Sequence, residues 1–310
     1  MEVEKWELKQ DDDLFPESIR DEPSVKVETL YGLGNPEALS DTSVSIIGAR
    51  MATPYGVSVA QMAGRVAAES GITVVSGGAR GCDYAATRAA LDAGGKTVIV
   101  SGTGADRIYP RSSEDIFRDT VARGGCIVSM EPWGTGPLPY LFPKRNVIIA
   151  ALSRALFVVE AGNKSGTMST ADAALQMDRT IYAVPGSIFS PYSQGTNRLI
   201  SEGALPVCSE VDLEARLSLD FGVMRILAEG SAEQTDELMM ALVASPMRLD
   251  ELSSNSNQDT LALLRTLAEY ESRGIVEHLP DGRYSLTALA YQEYRMGTAS
   301  VGEHGAGKDG

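Results

Sequence analysis

Between residues 44 and 186 the chain repeats one pattern, in which a run of five to seven almost wholly apolar residues gives way to a longer amphipathic stretch and then to another apolar run. The runs read VSIIG (44–48), ITVVSGG (72–78), TVIVSG (97–102), CIVSM (126–130), ALFVVEA (155–161) and TIYAVPG (180–186), with a shorter candidate at ALPVCS. A strand with one wet face alternates polar and apolar residues, whereas an unbroken apolar run belongs to a strand covered on both faces. The pattern therefore predicts an α/β fold with a mostly parallel sheet and helices on both faces. Helix punctuation agrees with it: Thr53 and Pro54 open the first helix, Gly71 follows its end, and Ser112 caps the third.

In such a sheet ligands bind beyond the carboxyl ends of the strands. Those ends read GAR, SGGARG, SGTG, MEPWGTG, EAGNKSGT and VPGS. Gly and Ser let backbone N–H groups approach an anion closely, and a helix beginning just afterwards adds its positive end. Arg50, Arg80, Lys144, Arg145 and Lys164 all fall on these tips, which favours an anionic ligand over a merely solvated rim. The formal net charge of −15 argues the other way, because a field of that sign slows a polyanion's approach. The acidity is concentrated at the ends, however: residues 1–40 sum to −7, 41–210 to +1 and 211–310 to −9. The local patch decides binding.

Several chemistries are excluded by residues that are missing. GNKSGT at 162–167 has Asn163 where a phosphate loop needs its second Gly, and GTGADR at 102–107 has Arg107 in place of the third Gly of a dinucleotide fingerprint. Both histidines, His278 and His304, lie outside the sheet domain, so no catalytic triad and no His-ligated metal site can be built there. Cys82, Cys126 and Cys208 lack CxxC spacing and read as buried small hydrophobes. No His-based catalytic site or His-ligated metal is therefore expected in the sheet domain, and neither nucleotide-cofactor motif is complete. Asp83, Glu131 and Glu160 are open to two readings, acid/base groups or helix caps and arginine partners. There is no apolar run of about 18 residues and no signal-peptide pattern, so the chain is read as cytoplasmic, with no membrane contact.

The blocks SIIGAR, VVSGGARGCDYAATRAAL, GGKTVIVSGTGADRIYP, GGCIVSMEPWGTGPLPYLFPKRNVIIAALS, VVEAGNKSGTMSTADAAL and YAVPGSIFSPYSQGTNRLISEGA, in this order, resemble the DNA-processing protein A family, also called Smf. The resemblance covers roughly residues 29–210. It implies an extended Rossmann-like domain that binds single-stranded DNA as a homodimer and hands it to the RecA recombinase in natural transformation, without catalysis. The family's F-P-x-R-N motif stands here as Phe142, Pro143, Lys144, Arg145 and Asn146, with Pro143 expected at the first helical position and Phe142 either stacking on a base or stapling into the core. Arg50 ends the G-[ST]-R motif, here GAR, and is the strongest candidate for a phosphate contact. Ser76 and Gly77 in the second tip, Ser165, Gly166 and Thr167 after Lys164, and Asn197 in G-T-N complete the expected DNA-binding set. The S-G-T turn also reads as a plain N-cap.

Three positions depart from the family pattern. Thr87 replaces its histidine, Val147 its second arginine and Ser113 its asparagine. An alternative is a nucleotide-binding or nucleotide-processing enzyme like the phosphoribohydrolases of related fold. Their glutamate is not matched, because Ser169 or Thr170 stands near its place and Asp172 falls two residues late. A third reading is a paralogue that keeps the fold and has lost DNA binding.

The expected organisation is an acidic, flexible arm at 1–28, the Rossmann-like domain at 29–211, a linker at 212–234, a winged-helix domain at 235–296 and a disordered tail at 297–310. Three amphipathic helices followed by a hairpin turning at Asp281 and Gly282 carry the winged-helix expectation, with Leu263, Leu264, Leu267 and Tyr270 on one stripe of the third helix. Arg265 and Arg273 on that helix are offset by Asp259, Glu269 and Glu271, which favours a protein contact over groove reading.

Overall fold

A computed structural model describes residues 4–225, 237–255 and 260–290. They fall into two compact units, one built on 4–52 and 58–225, the other on 53–57, 237–255 and 260–290. The first holds a nine-stranded sheet formed by β1 (Lys5–Lys9), β2 (Thr29–Gly34), β3 (Ser43–Ile47), β4 (Thr73–Ser76), β5 (Thr97–Val100), β6 (Cys126–Ser129), β7 (Ala155–Val158), β8 (Thr180–Ala183) and β9 (Leu205–Pro206). The helices in chain order are α1 (Glu17–Arg20), α2 (Pro54–Glu69), α3 (Cys82–Asp92), α4 (Glu114–Ala122), α5 (Leu141–Leu152), α6 (Gly166–Gln176), α7 (Gln194–Ser201) and α8 (Glu210–Phe221).

The strand order is β1-β2-β6-β5-β4-β3-β7-β8-β9. From β3 the chain steps outward through β4, β5 and β6, then returns by way of α5 to lay β7 on the other side of β3. The strand order thus reverses beside β3, and the crevice at that switch point is where an open sheet holds its ligand. Every pair from β6 to β9 is parallel, as the apolar runs predict, while β1 on β2 and β2 on β6 are antiparallel.

Alternation along the central strands explains why the runs are unbroken. Val98 and Val100 of β5, and Cys126 and Val128 of β6, belong to one buried cluster with Ile148 and Leu152 of α5. Ile99 and Ile127 face the opposite way into a second cluster with Leu91, Ile116 and Phe117 of α3 and α4. Both sheet faces are therefore covered, at about 1.5 to 3 kcal/mol for each large side chain withdrawn from water.

The amino-terminal segment corrects the sequence reading. It is not a loose arm: Trp6 and Leu8 pair β1 with β2, and Phe15, Ile19, Val25 and Val27 are buried in the main cluster. Its charges sit on the outward positions, so Lys5, Glu7 and Lys9 of KWELK stay exposed and hide a two-residue alternation behind an acidic composition. The start of the proposed linker is likewise helical. Ser209 caps α8 by accepting the Asp212 N–H at 3.1 Å, and Leu213, Leu217 and Phe221 are buried. Just beyond it Arg225 is clasped by Glu69 at 2.5 Å, Glu210 at 2.7 Å and Glu214 at 3.3 Å. Burial would raise the Glu210 carboxyl, but hydrogen bonds and charge from Arg65 and Arg225 outweigh it and hold the group below the ordinary carboxylate range.

The second unit contains α9 (Glu237–Ala244), α10 (Leu249–Asn255), α11 (Thr260–Ser272) and the antiparallel pair β10 (Val276–His278) and β11 (Tyr284–Leu286). Leu238, Leu242, Leu252, Leu263, Leu267, Tyr270, Val276 and Leu286 form its core. Leu264, expected on the same stripe, is exposed instead. The remainder of the linker and the tail at 297–310 lie outside the described residues.

Candidate nucleic-acid interface

Beyond the carboxyl ends of β3 and β7 opens a cleft of about 880 Å³. Its walls come from the β3 tip (Gly48, Ala49, Arg50), the turn into α6 (Gly162, Ser165, Gly166, Thr167), the start of α5 (Phe142, Arg145, Asn146) and the aromatic rings of Tyr109 and Tyr192.

The floor is rigid and internally satisfied. Asp83, in the first turn of α3, accepts the Gly48 N–H at 3.3 Å and the Gly77 N–H at 3.1 Å, so it ties two strand tips together. Burial pushes its carboxyl up, while the Arg145 charge and the amide donors pull it back. Arg145 is only 4% exposed; its Nη1 donates to the Gly77 carbonyl at 2.8 Å and to the Val100 carbonyl. Burial lowers its pKa to about 10, with Arg50 acting in the same sense and Asp83 against it. Gly77 has to be glycine here, since a Cβ would lie 2.7 Å from both guanidinium nitrogens and from Asp83 Oδ2. Burial first, then Glu160 and Asp83, drive the Cys82 thiol well above its ordinary range, which makes it inert.

The rim is different in kind. Arg50 is exposed, has no ion pair among the described residues, and places its guanidinium 5.4 Å from the centre of the Phe142 ring. Phe142 packs against the Gly102 backbone, whose Cβ would sit 2.7 Å from the ring, and tilts against Tyr109 with centroids 5.4 Å apart. Cation and rings thus make one ledge. Ser165 stands at the N-cap of α6 in extended backbone, and its hydroxyl makes no hydrogen bond to a described residue. Thr167 turns inward to donate to the Gly48 carbonyl at 3.1 Å. Asn146 reaches across from α5 to Gly166 O at 3.2 Å and Ser169 Oγ at 3.0 Å, fixing the α6 turn against α5. Lys164 is exposed beside that turn.

The structure separates residues that adjoin in sequence. Phe142, Arg145 and Asn146 are three and four apart and share a helix face, whereas Lys144 points elsewhere, pairs with Glu131 at 2.7 Å, and lines a different depression of about 620 Å³ with Lys26 and Tyr31. Helix α5 also starts at Leu141, two residues earlier than expected, so Pro143 is third in the helix and the Lys144 N–H donates to the Tyr140 carbonyl at 3.4 Å. Ser76 is fully buried and donates to the Ile46 carbonyl at 2.7 Å. Asn197 spends both ends of its amide on Gly186, accepting from its N–H at 3.1 Å and donating to its carbonyl at 2.9 Å. These contacts give Ser76, Arg145 and Asn197 backbone-bracing work.

Sequence reasoning passed over Tyr109, Arg111 and Tyr192, which the structure brings to the cleft or its neighbour. The signal available for the first two was the Y-P-R triplet that follows the β5 tip. Asp83 and Glu131, weighed as acid/base groups, are occupied by amides and by Lys144. Among the described residues no group of three or more His, Cys, Asp or Glu side chains is placed to hold a metal, and no helix is long and apolar enough to cross a membrane.

Comparison with known proteins fits this geometry. The sequence profile described as "DNA recombination-mediator protein A" matches residues 7–218. The chain is 31% identical over 262 residues to Protein Smf of Escherichia coli (strain K12), spanning 82% of this chain and 70% of that protein. It is 36% identical over 204 residues to the DNA processing protein DprA of Streptococcus pneumoniae, spanning 66% and 71% of the two. Among solved structures, DNA processing protein A from Helicobacter pylori, described in terms of its single-stranded DNA binding mode, superimposes with a TM-score of 0.63 at 28% identity over 71% of this chain and 98% of that one.

Proposed function

We propose that this chain, which belongs to the DNA recombination-mediator protein A family, binds single-stranded DNA in the cleft at the sheet's switch point. The observation that carries the reading is the ledge of Arg50, Phe142 and Tyr109 facing Ser165 and Gly166 across one cleft. A single strand needs a cation-lined groove for its phosphates and exposed rings for its bases, and stacking contributes about 1 to 3 kcal/mol per base. Arg50 can grip two phosphate oxygens at once, and the exposed Gly166, at the positive end of α6, suits a neighbouring phosphate. Lys164 adds charge at the edge. Arg145, Ser76, Gly77 and Asn197 support the groove from beneath by fixing its strand tips, and Thr167 does the same through Gly48. Lys144 contributes from outside the cleft.

From the same premise we infer a mediator without catalysis that acts as a homodimer in the cytoplasm and delivers the strand to RecA during natural transformation. Engagement of Asp83 and Glu131 in structural contacts supports the absence of an acid/base pair. The second unit, with three helices followed by a hairpin among its described residues, is read as a winged helix. With its mixed-charge third helix it suits a protein partner better than a duplex groove.

The test is a titration of labelled oligo-dT against the wild type and Arg50→Ala at two salt concentrations. Binding at micromolar or tighter Kd is expected, falling as salt rises with a slope of about 0.7 for each phosphate contacted, and weakened by the substitution. Absence of binding at low salt, or release of free base from nucleoside monophosphates, would overturn the reading in favour of its enzymatic alternative.

A further inference from the structure

Behind the Arg50–Phe142 ledge the main cleft adjoins a smaller chamber of about 260 Å³. Four arginines line it, Arg50, Arg80, Arg111 and Arg145, together with the rings of Tyr109 and Phe142. No carboxylate is found among its described lining residues. Arg50, Arg80 and Arg111 are exposed, and none forms an ion pair with a described residue. On the inner side Arg145 is almost wholly buried, and while its Nη1 is engaged by carbonyls its Nε has no hydrogen-bond partner among the described residues.

The number of charges discriminates between phosphates. A phosphodiester inside a strand carries one negative charge and has two free oxygens. A phosphomonoester carries about −1.5 to −2 at neutral pH and offers three strong acceptors. Three exposed guanidiniums without an ion pair, backed by Arg145 beside Asp83, favour the second over the first, and the exposed three can each form charge-assisted hydrogen bonds. We propose that this chamber is a phosphomonoester subsite, in which Arg80 and Arg111 hold a terminal phosphate at the mouth, Arg145 adds positive charge from the inner wall, and Tyr109 receives the attached base. The group comes either from the 5′ end of a single strand or from a free nucleoside monophosphate. The proposal rests on the reading that the main cleft binds single-stranded DNA, because a strand lying there brings its end to the ledge.

The experiment compares binding of dT hexamers carrying a 5′-phosphate or a 5′-hydroxyl, on the full chain and on the double variant Arg80→Ala/Arg111→Ala. Both residues are exposed and lack ion pairs, so the fold is preserved, and circular dichroism verifies it. The wild type is expected to favour the phosphorylated hexamer about tenfold, the double variant to lose the preference, and the preference to shrink below pH about 6 as the monoester takes up a proton. A dT 30-mer with a 5′-hydroxyl is the control. If the 30-mer binds and the hexamers bind equally, the subsite is refuted while the cleft reading survives; if the 30-mer fails to bind, the cleft reading itself falls. Competition by dTMP separates the sources: displacement of the phosphorylated hexamer by dTMP at matching concentration identifies a free nucleotide, and displacement only by oligomers identifies a DNA end. A preference that persists in the double variant would also overturn the assignment.

Discussion

The floor and the rim of the cleft use the same residue type in opposite ways. Arg145 on the floor is buried, donates to strand-tip carbonyls and lies beside the buried Asp83. Arg50 on the rim, close enough to lower the Arg145 pKa, faces solvent with only the Phe142 ring beneath it. The contrast teaches that an arginine in a family motif is not by that fact a ligand contact. In the proposed reading Arg145 holds the strand tips in register and Arg50 has a defined place from which to meet an anion.

The sharpest way to break this comparison is to remove the floor. Arg145→Ala leaves Asp83 buried without its cationic neighbour, and is expected to destabilise folding by about 3 kcal/mol or more in urea unfolding, with DNA binding lost as a consequence. Adding Asp83→Asn should recover part of that stability, since the uncompensated charge is then gone. If Arg145→Ala unfolds like the wild type, the floor has no structural role.

Arg225→Ala serves as the control for burial without a cleft. It removes the cation shared by Glu69, Glu210 and Glu214 and should cost about 2 kcal/mol at neutral pH while leaving oligo-dT affinity unchanged. The sign of its pH dependence follows from Glu210. A carboxyl held below its ordinary range contributes stability above the unfolded value, and the contribution disappears as pH falls through the folded one. The gap between wild type and variant should therefore narrow on acidification below pH about 4. A gap that widens there would contradict the clasp.

Arg50→Ala tests the rim. It should weaken oligo-dT binding by about 2 kcal/mol while the unfolding midpoint stays within about 0.5 kcal/mol of the wild type. The smallest effect is expected at Lys144→Ala, because that ammonium is already paired with Glu131 outside the cleft. Its loss should leave the salt slope changed by less than the about 0.7 that a direct phosphate contact gives. A full change of that size would bring Lys144 into the DNA path and redraw the rim.

The parts of the molecule that were legible in the sequence share a physical basis. Central strands buried on both faces need unbroken apolar residues, so β3 to β8 could be read from composition along the chain, and with them the strand tips where the cleft opens. Strand β1 could not, because three of its five residues are charged and the half-buried Trp6 and buried Leu8 make only a two-step pattern. The cleft's side-chain directions were hidden for another reason. Neighbours in a helix point about 100° apart, and nothing in K-R says which of Lys144 and Arg145 faces the sheet. That choice is made by the space over Gly77, which a Cβ would close. Tyr109 reaches the ledge only through the path of the loop after β5, which no local periodicity encodes.

Where the strand lies is tested most directly by ultraviolet crosslinking of oligo-dT to the full chain, followed by mass spectrometry of the linked peptides. Crosslinks at Tyr109, Phe142 or Tyr192, diminished in Arg50→Ala, are the predicted result. Crosslinks confined to the unit that carries α9 to β11, with none on the cleft-lining residues, would contradict it.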